Sequence, residues 1–138
     1  MRPSFVSCRF GTVLLIGLLY AVIGVVFALP SSRVQIWRLA AWLISAVLYA
    51  GHIGYESFRL RNAARFTAMH VSTAVAIGGF ALAVAATVHS FFVAPNYHRS
   101  RFMVALVVWP LITGIPAFFV ALAAAAVMNA FRRNSFAE

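Results

Sequence analysis

Four polar residues follow one line along an otherwise apolar segment, and their types are the ones in this chain best suited to chemistry. Ser45, Tyr49, His52 and Glu56 are spaced four, three and four residues apart. On an α-helix this spacing places the side chains on one face. His70 begins the next apolar segment. If the two helices are antiparallel neighbours, His52, Glu56 and His70 lie at nearly the same depth and can converge.

Three hypotheses account for this group. In the first, His52 and His70 bind a haem iron as a cofactor, or His52, Glu56 and His70 bind a metal ion. In the second, the polar stripe is a path for protons or for a substrate, because ionisable groups inside a membrane are functional candidates. In the third, Glu56 pairs with Arg59 or Arg65. Both histidines then lie at the wet membrane surface, where they bond to backbone, water or lipid headgroups.

The composition indicates an integral membrane protein. Of 138 residues, 64% are hydrophobic and 9% are charged, whereas soluble domains are about 45–50% apolar and about 25% charged. The net charge of +9 comes from arginines in short segments between apolar runs. The positive-inside rule describes this distribution, which differs from the clustered patch of a nucleic-acid-binding protein. We therefore expect one membrane domain over 1–138, membrane lipids as partners and no nucleic acid.

Apolar stretches predict four transmembrane helices, at about 10–29, 36–55, 70–94 and 102–131. Each has 20 or more residues, enough to cross a ~30 Å hydrocarbon core at about 1.5 Å per residue. The segment 56–69 is expected to leave the bilayer, although the second helix can continue through its first residues. Short connections predict an all-α, up-down-up-down four-helix bundle. Pro110 and Pro116 predict a bend in the fourth helix.

Small residues form a line on two of these helices. In each line the spacing is four, three and four, and such lines allow helices to approach closely in a membrane. The two sets, natural partners for each other, are Gly17, Ala21, Gly24 and Ala28 in the first helix, and Ala74, Gly78, Ala81 and Ala85 in the third.

Arginines predict the orientation of the chain. Seven lie at the termini and in 56–69, and four lie in the two opposite loops. Both termini are therefore expected on the cytoplasmic side, in the cytoplasmic (inner) membrane of a bacterium. Arg59, Arg61 and Arg65 suit anionic lipid headgroups.

The sequence lacks the motifs of the common enzymes. It contains no Asp, and HExxH, GxxxxGK[ST] and GxSxG are all missing, so metalloprotease, nucleotide-dependent and serine-hydrolase activities have no basis. No acid is expected within the apolar core of a helix, which disfavours an ion-coupled exporter. We expect a non-enzymatic membrane protein, an accessory subunit or one that assembles with itself or with other membrane subunits. The alternatives are an electron-transfer protein that binds haem or a metal through His52 and His70, and a small oligomeric transporter or channel.

Overall fold

The computed structural model describes residues 5–28, 34–93 and 99–134, and all of these except 60–63 are helical. The helices are α1 (Phe5–Ala28), α2 (Val34–Gly54), α3 (Ala64–Val93) and α4 (Arg99–Asn134). Helix α2 runs directly into a π-helical turn, Tyr55–Arg59. The prediction of an all-α protein with four helices is confirmed.

Three of the helical segments are long and apolar enough to cross a membrane. They are Val34–Arg59, which includes the π-helical turn, Ala64–Phe92 and Met103–Arg132. Helix α1 adds a shorter apolar stretch, Gly11–Phe27. These lengths are those of an integral membrane protein, as the composition predicted.

The predicted start of the third helix was wrong, since α3 begins at Ala64 rather than at about His70. The expected continuation of the second helix is confirmed, because the π-helical turn carries it on to Arg59. The non-helical connection between the two is 60–63. Hydropathy marks where a chain meets polar surroundings, and a helix ends only where its capping residues stop it. Helices α1 and α4 also begin earlier than predicted, at Phe5 and Arg99.

Helix α3 packs against α1 through glycines. A Cβ atom placed on Gly17 would lie 2.8 Å from Cγ2 of Ile77, and one on Gly78 would lie 2.5 Å from Cβ of Tyr20. A Cβ on Gly24 would lie 2.5 Å from Cδ2 of Leu82. No larger residue fits without movement, so these glycines allow the close approach that small residues give membrane helices. The predicted pairing of the two small-residue lines is confirmed at Gly17 and Gly78.

Helix α3 also packs closely against α4, through Gly79 and Gly114. A Cβ on Gly79 would lie 2.6 Å from Oγ1 of Thr113, and one on Gly114 would lie 3.1 Å from Cβ of Ala76. Helix α4 stays helical through both prolines. The buried apolar core lies where α2, α3 and α4 meet, and consists of Ile53, Ala68, Val71, Ala121 and Ala125. It is adjacent to the polar residues at the end of α2.

Candidate functional site: a buried carboxylate–imidazole cluster

The end of α2 is shaped by two departures from regular helix. In the π-helical turn, the amide of Leu60 donates to the carbonyl of Tyr55 (3.3 Å), and the amide of Asn62 donates to the carbonyl of Glu56 (3.2 Å). Arg61 has a φ of 50°, the left-handed conformation that glycine usually supplies after a helix end. Together these features fold the chain back so that the side chain of Asn62 faces Glu56.

Glu56 lies at the centre of the site and is only 2% exposed. The amide nitrogen Nδ2 of Asn62 donates a hydrogen bond to Oε2. Nδ1 of His70, on α3, lies 3.3 Å from both carboxylate oxygens. Nε2 of His52, one turn earlier on α2, lies 3.9 Å from Oε1. We call these four residues the Glu56 cluster. The structure thus brings together the three residues that spacing had placed at one depth.

His52 is buried without a hydrogen-bond partner. The residue is 3% exposed, and neither ring nitrogen is bonded. The hydroxyls of Ser57 and Thr67, both fully buried, also lack partners. Buried polar groups are nearly always hydrogen-bonded in folded proteins, and unpaired ones call for an explanation such as a ligand or bound water. These atoms are the described polar groups near Glu56 that lack a hydrogen-bond partner within the chain.

The cluster is not neutralised by arginine. Arg59, Arg61 and Arg65 are exposed, and among the side chains that the structure describes, no arginine nitrogen lies within 4.0 Å of the Glu56 carboxylate. The ion pair of the third hypothesis, with Arg59 or Arg65, is wrong. His52 is also not at a wet surface. The three arginines stay candidates for binding lipid headgroups.

The first two residues of the polar stripe, Ser45 and Tyr49, do not contact Glu56. The Tyr49 hydroxyl donates to the carbonyl of Ala117 on α4 at 2.5 Å, so it joins two helices. Ser45 is half-buried and lies about two turns before His52 on α2. Only the last two members of the stripe, His52 and Glu56, take part in the cluster.

Two residues of the site were missed by the sequence analysis. Asn62 holds the carboxylate, and Arg132 on α4 donates from Nη1 to the carbonyl of Ser57 at 3.1 Å. Asn62 lies six residues after Glu56, a spacing that brings side chains together only when the helix ends in a turn of this kind. Arg132 had been interpreted only as a topology signal.

The fold and the site indicate a class of protein but do not identify a protein family. The protein is a helical protein of membrane-spanning type with a buried Glu–His–Asn cluster where α2 connects to α3. No protein-family model, no curated protein and no solved structure matches the chain. In the described parts of the chain, no group of three or more His, Cys, Asp or Glu side chains is arranged to hold a metal ion. The binding of haem or a metal by His52, Glu56 and His70 stays a prediction.

Proposed function

We propose that the protein is a small, non-enzymatic integral membrane protein that takes up and releases a proton at the Glu56 cluster. One observation carries this proposal: a carboxylate buried to 98% has two histidines, and none of the described arginines, within 4.0 Å. It corresponds to the proton-path hypothesis for the polar stripe, and to the small-transporter alternative among the functions.

Charge balance supports the proposal. An ionised carboxylate out of contact with water carries a large desolvation cost unless a positive charge or a proton compensates it. Arginine would supply a permanent charge, whereas histidine supplies one only when it is protonated. The cluster offers a carboxylate and two imidazoles as sites for such a proton.

The geometry supports a route for that proton. The side chain of His70 is 26% exposed and that of Glu56 is 3% exposed, so His70 is the member of the pair that reaches the surface of the protein. A proton from solution adds to Nε2 of His70 while Nδ1 gives its proton to a carboxylate oxygen. The carboxylate becomes a carboxylic acid, and no electron moves. From Oε1 the next ring nitrogen is Nε2 of His52, at 3.9 Å.

Infrared difference spectroscopy tests the proposal. The chain has only two acidic residues, Glu56 and Glu138, so the C=O stretch of a protonated side-chain carboxyl can be assigned. Protein in liposomes would be compared between about pH 4 and about pH 9, a range that includes the usual titration of Glu and His. We expect a buried carboxyl band that Glu56→Gln removes and Glu138→Gln preserves. His70→Gln should enlarge the band at neutral pH, because the carboxylate then lacks an imidazole that can carry the proton.

The proposal fails if the carboxyl band of the wild type and that of Glu56→Gln are the same over this pH range. Glu56→Gln keeps an oxygen that accepts from Asn62, so the variant is expected to fold. Circular dichroism checks this.

The proposed topology is an up-down-up-down bundle of four membrane-spanning helices in one domain, with both termini in the cytoplasm of a bacterium. The order of contacts supports it. Gly17 and Gly24 of α1 meet Ile77 and Leu82 of α3 in the same order along the chain, as in parallel helices. Gly79 and Gly114 give the opposite order for α3 and α4. The excess of arginines at the termini and near the Glu56 cluster supports the cytoplasmic side.

A second candidate function, assembly as a subunit with a second copy of the chain, is favoured by the outer face of α2. Ala46, Ala50 and Gly54 are spaced four residues apart on this face, opposite the side that carries His52. Around Gly51 and Gly54 an added Cβ meets nothing within 4 Å. Gly17, Gly78 and the other closely packed glycines contact neighbouring helices of the same chain. Gly51 and Gly54 have no such neighbour at the position of a Cβ, so a helix of a second copy can approach them.

Single-molecule photobleaching in liposomes tests this second candidate. We expect two bleaching steps for the wild type and one for Gly51→Leu. Gly11→Leu is the matched control, because a Cβ on Gly11 also meets nothing within 4 Å. One step for the wild type excludes self-assembly, and a different protein that co-purifies at a fixed ratio would identify an accessory subunit. Proton binding lies on the opposite face of α2, so either function can fail alone.

The cofactor alternative has a direct readout as well. An absorption spectrum and a metal analysis of protein purified in mild detergent would show a Soret band or bound metal that His52→Ala or His70→Ala removes. A colourless, metal-free sample would eliminate it.

A further inference from the structure

A groove between α3 and α4 is open to the surroundings of the bundle. Its volume is about 420 Å³, and it is lined mainly by Ser72, Thr73, Ala76, Pro110, Gly114 and Phe119. Gly114 and Ala76 line the groove where α3 and α4 approach closely, since a Cβ on Gly114 would lie 3.1 Å from Cβ of Ala76. Its volume lies in the range of about 300–1,000 Å³ that is usual for sites of small ligands.

The inner surface of the groove is apolar. Its two hydroxyl groups are already bonded within α3, since Oγ of Ser72 donates to the carbonyl of Met69 at 3.1 Å and Oγ1 of Thr73 donates to the same carbonyl at 2.7 Å. The groove lies within the apolar spans Ala64–Phe92 and Met103–Arg132. Its chemistry therefore suits a hydrocarbon chain.

An exposed arginine, Arg65, lies on the face of α3 that lines this groove. Arg65, Met69, Ser72 and Ala76 are spaced four, three and four residues apart on α3, so they share one face. Both Arg65 and Met69 are exposed. Arg65 and Ala76 are eleven residues apart, about 16 Å along a helix axis at 1.5 Å per residue. Half of a ~30 Å hydrocarbon core is about 15 Å, so the groove and the arginine match the depth and the headgroup of one leaflet.

We propose that this groove binds one acyl chain of an anionic phospholipid, and that Arg65 binds its phosphate. The proposal makes Arg65 different from Arg59, which ends the π-helical turn, and from Arg61, which lies in the connection, because both come before α3 begins. A guanidinium pairs with phosphate through two parallel hydrogen bonds. The proposal is independent of proton exchange and of self-assembly, because it uses none of the residues of the Glu56 cluster or of the outer face of α2.

Native mass spectrometry of protein released from nanodiscs tests the proposal. The nanodiscs would contain phosphatidylcholine and phosphatidylglycerol in equal amounts. We expect one retained phosphatidylglycerol per chain in preference to phosphatidylcholine. Arg65→Gln should lower this retention about fivefold, the factor that one arginine contributes near an anionic membrane surface. Arg59→Gln, which removes another exposed arginine, should leave it unchanged.

A second pair of variants tests the groove itself. Thr73→Phe fills the groove with an aromatic ring and should abolish retention of the lipid. Val120→Phe adds the same ring at an exposed position of α4 away from the groove, and should preserve retention.

Four outcomes would overturn the proposal. They are equal retention of the two lipids, equal losses in Arg65→Gln and Arg59→Gln, retention in Thr73→Phe, and a dimer of the chain that Thr73→Phe separates into monomers, which would place a second copy in the groove.

Discussion

Replacing Glu56 and His70 by glutamine, singly and together, measures the interaction that joins the end of α2 to α3. Glu56→Gln removes the charge but keeps an oxygen that accepts the hydrogen bond from Asn62. His70→Gln keeps an amide donor but removes the imidazole. Each single variant should lower the free energy of unfolding. The double variant should lower it by less than the sum, because the second substitution has no partner left to lose.

The size of the coupling follows from burial. Exposed ion pairs contribute about 0.2–1 kcal/mol, and removal of one partner from a buried pair costs about 3–5 kcal/mol. The pair formed by Glu56 and His70 lies between these limits, with side-chain exposures of 3% and 26%. The carboxylate can also take up a proton when it loses its partner, which removes the upper part of that cost. We therefore expect a coupling of about 1–2 kcal/mol.

Reversible unfolding in mixed micelles, with increasing dodecyl sulfate, provides the four free energies of this cycle. A matched control cycle pairs Glu56→Gln with Arg59→Gln, and it should be additive because Arg59 is not within 4.0 Å of the carboxylate. A coupling below about 0.3 kcal/mol for Glu56 and His70 is the additivity expected of independent sites. That result would refute the contact on which the proton route depends.

Three further substitutions test the packing around the site, each by the same unfolding measurement. Arg61→Gly should be more stable than Arg61→Ala by about 1 kcal/mol, because only glycine adopts the φ of 50° without strain; equal stabilities would contradict the left-handed turn. Gly78→Ala should destabilise the protein by about 1–3 kcal/mol through overpacking. Gly51→Ala should have no such cost, because an added Cβ there meets nothing within 4 Å. Similar losses at both positions would argue against the close contact between α1 and α3. Arg132→Gln should cost about 1 kcal/mol, since it loses a charged hydrogen bond to the carbonyl of Ser57, and an unchanged stability would show that this bond contributes nothing.

The residues that the sequence predicted correctly share a helical period. The spacing of His52 and Glu56 fixes their common face once α2 is a helix. The spacing of small residues by four and three predicts that Gly17 and Gly78 lie at a helix contact. Both inferences need only local geometry. The helix content and the apolar spans follow from composition in the same way.

The residues that were missed depend on a single turn. Asn62 reaches Glu56 only because the helix ends in a π-helical turn and Arg61 adopts a left-handed conformation. Arginine at that position gives no signal, since glycine or asparagine is the usual residue there. The start of α3 at Ala64 was missed because Arg65 interrupts the apolar pattern without ending the helix. The separation of Arg59 and Arg65 from the Glu56 carboxylate also depends on the tertiary structure.

The irregular features of the described chain are concentrated around one carboxylate. The π-helical turn, the positive φ of Arg61 and the unpaired nitrogens of His52 all lie within one short segment, and regular helix surrounds them. If the Glu56 cluster served only to join α2 to α3, an apolar contact would do so at less cost, because hydrophobic replacements of buried ionic groups are often neutral or stabilising. Strain and unpaired polar groups persist where a site uses them. The proposed exchange of a proton between Glu56 and His70 is such a use: it needs an acid and an imidazole in contact, and among the described side chains no arginine nitrogen lies within 4.0 Å of the carboxylate.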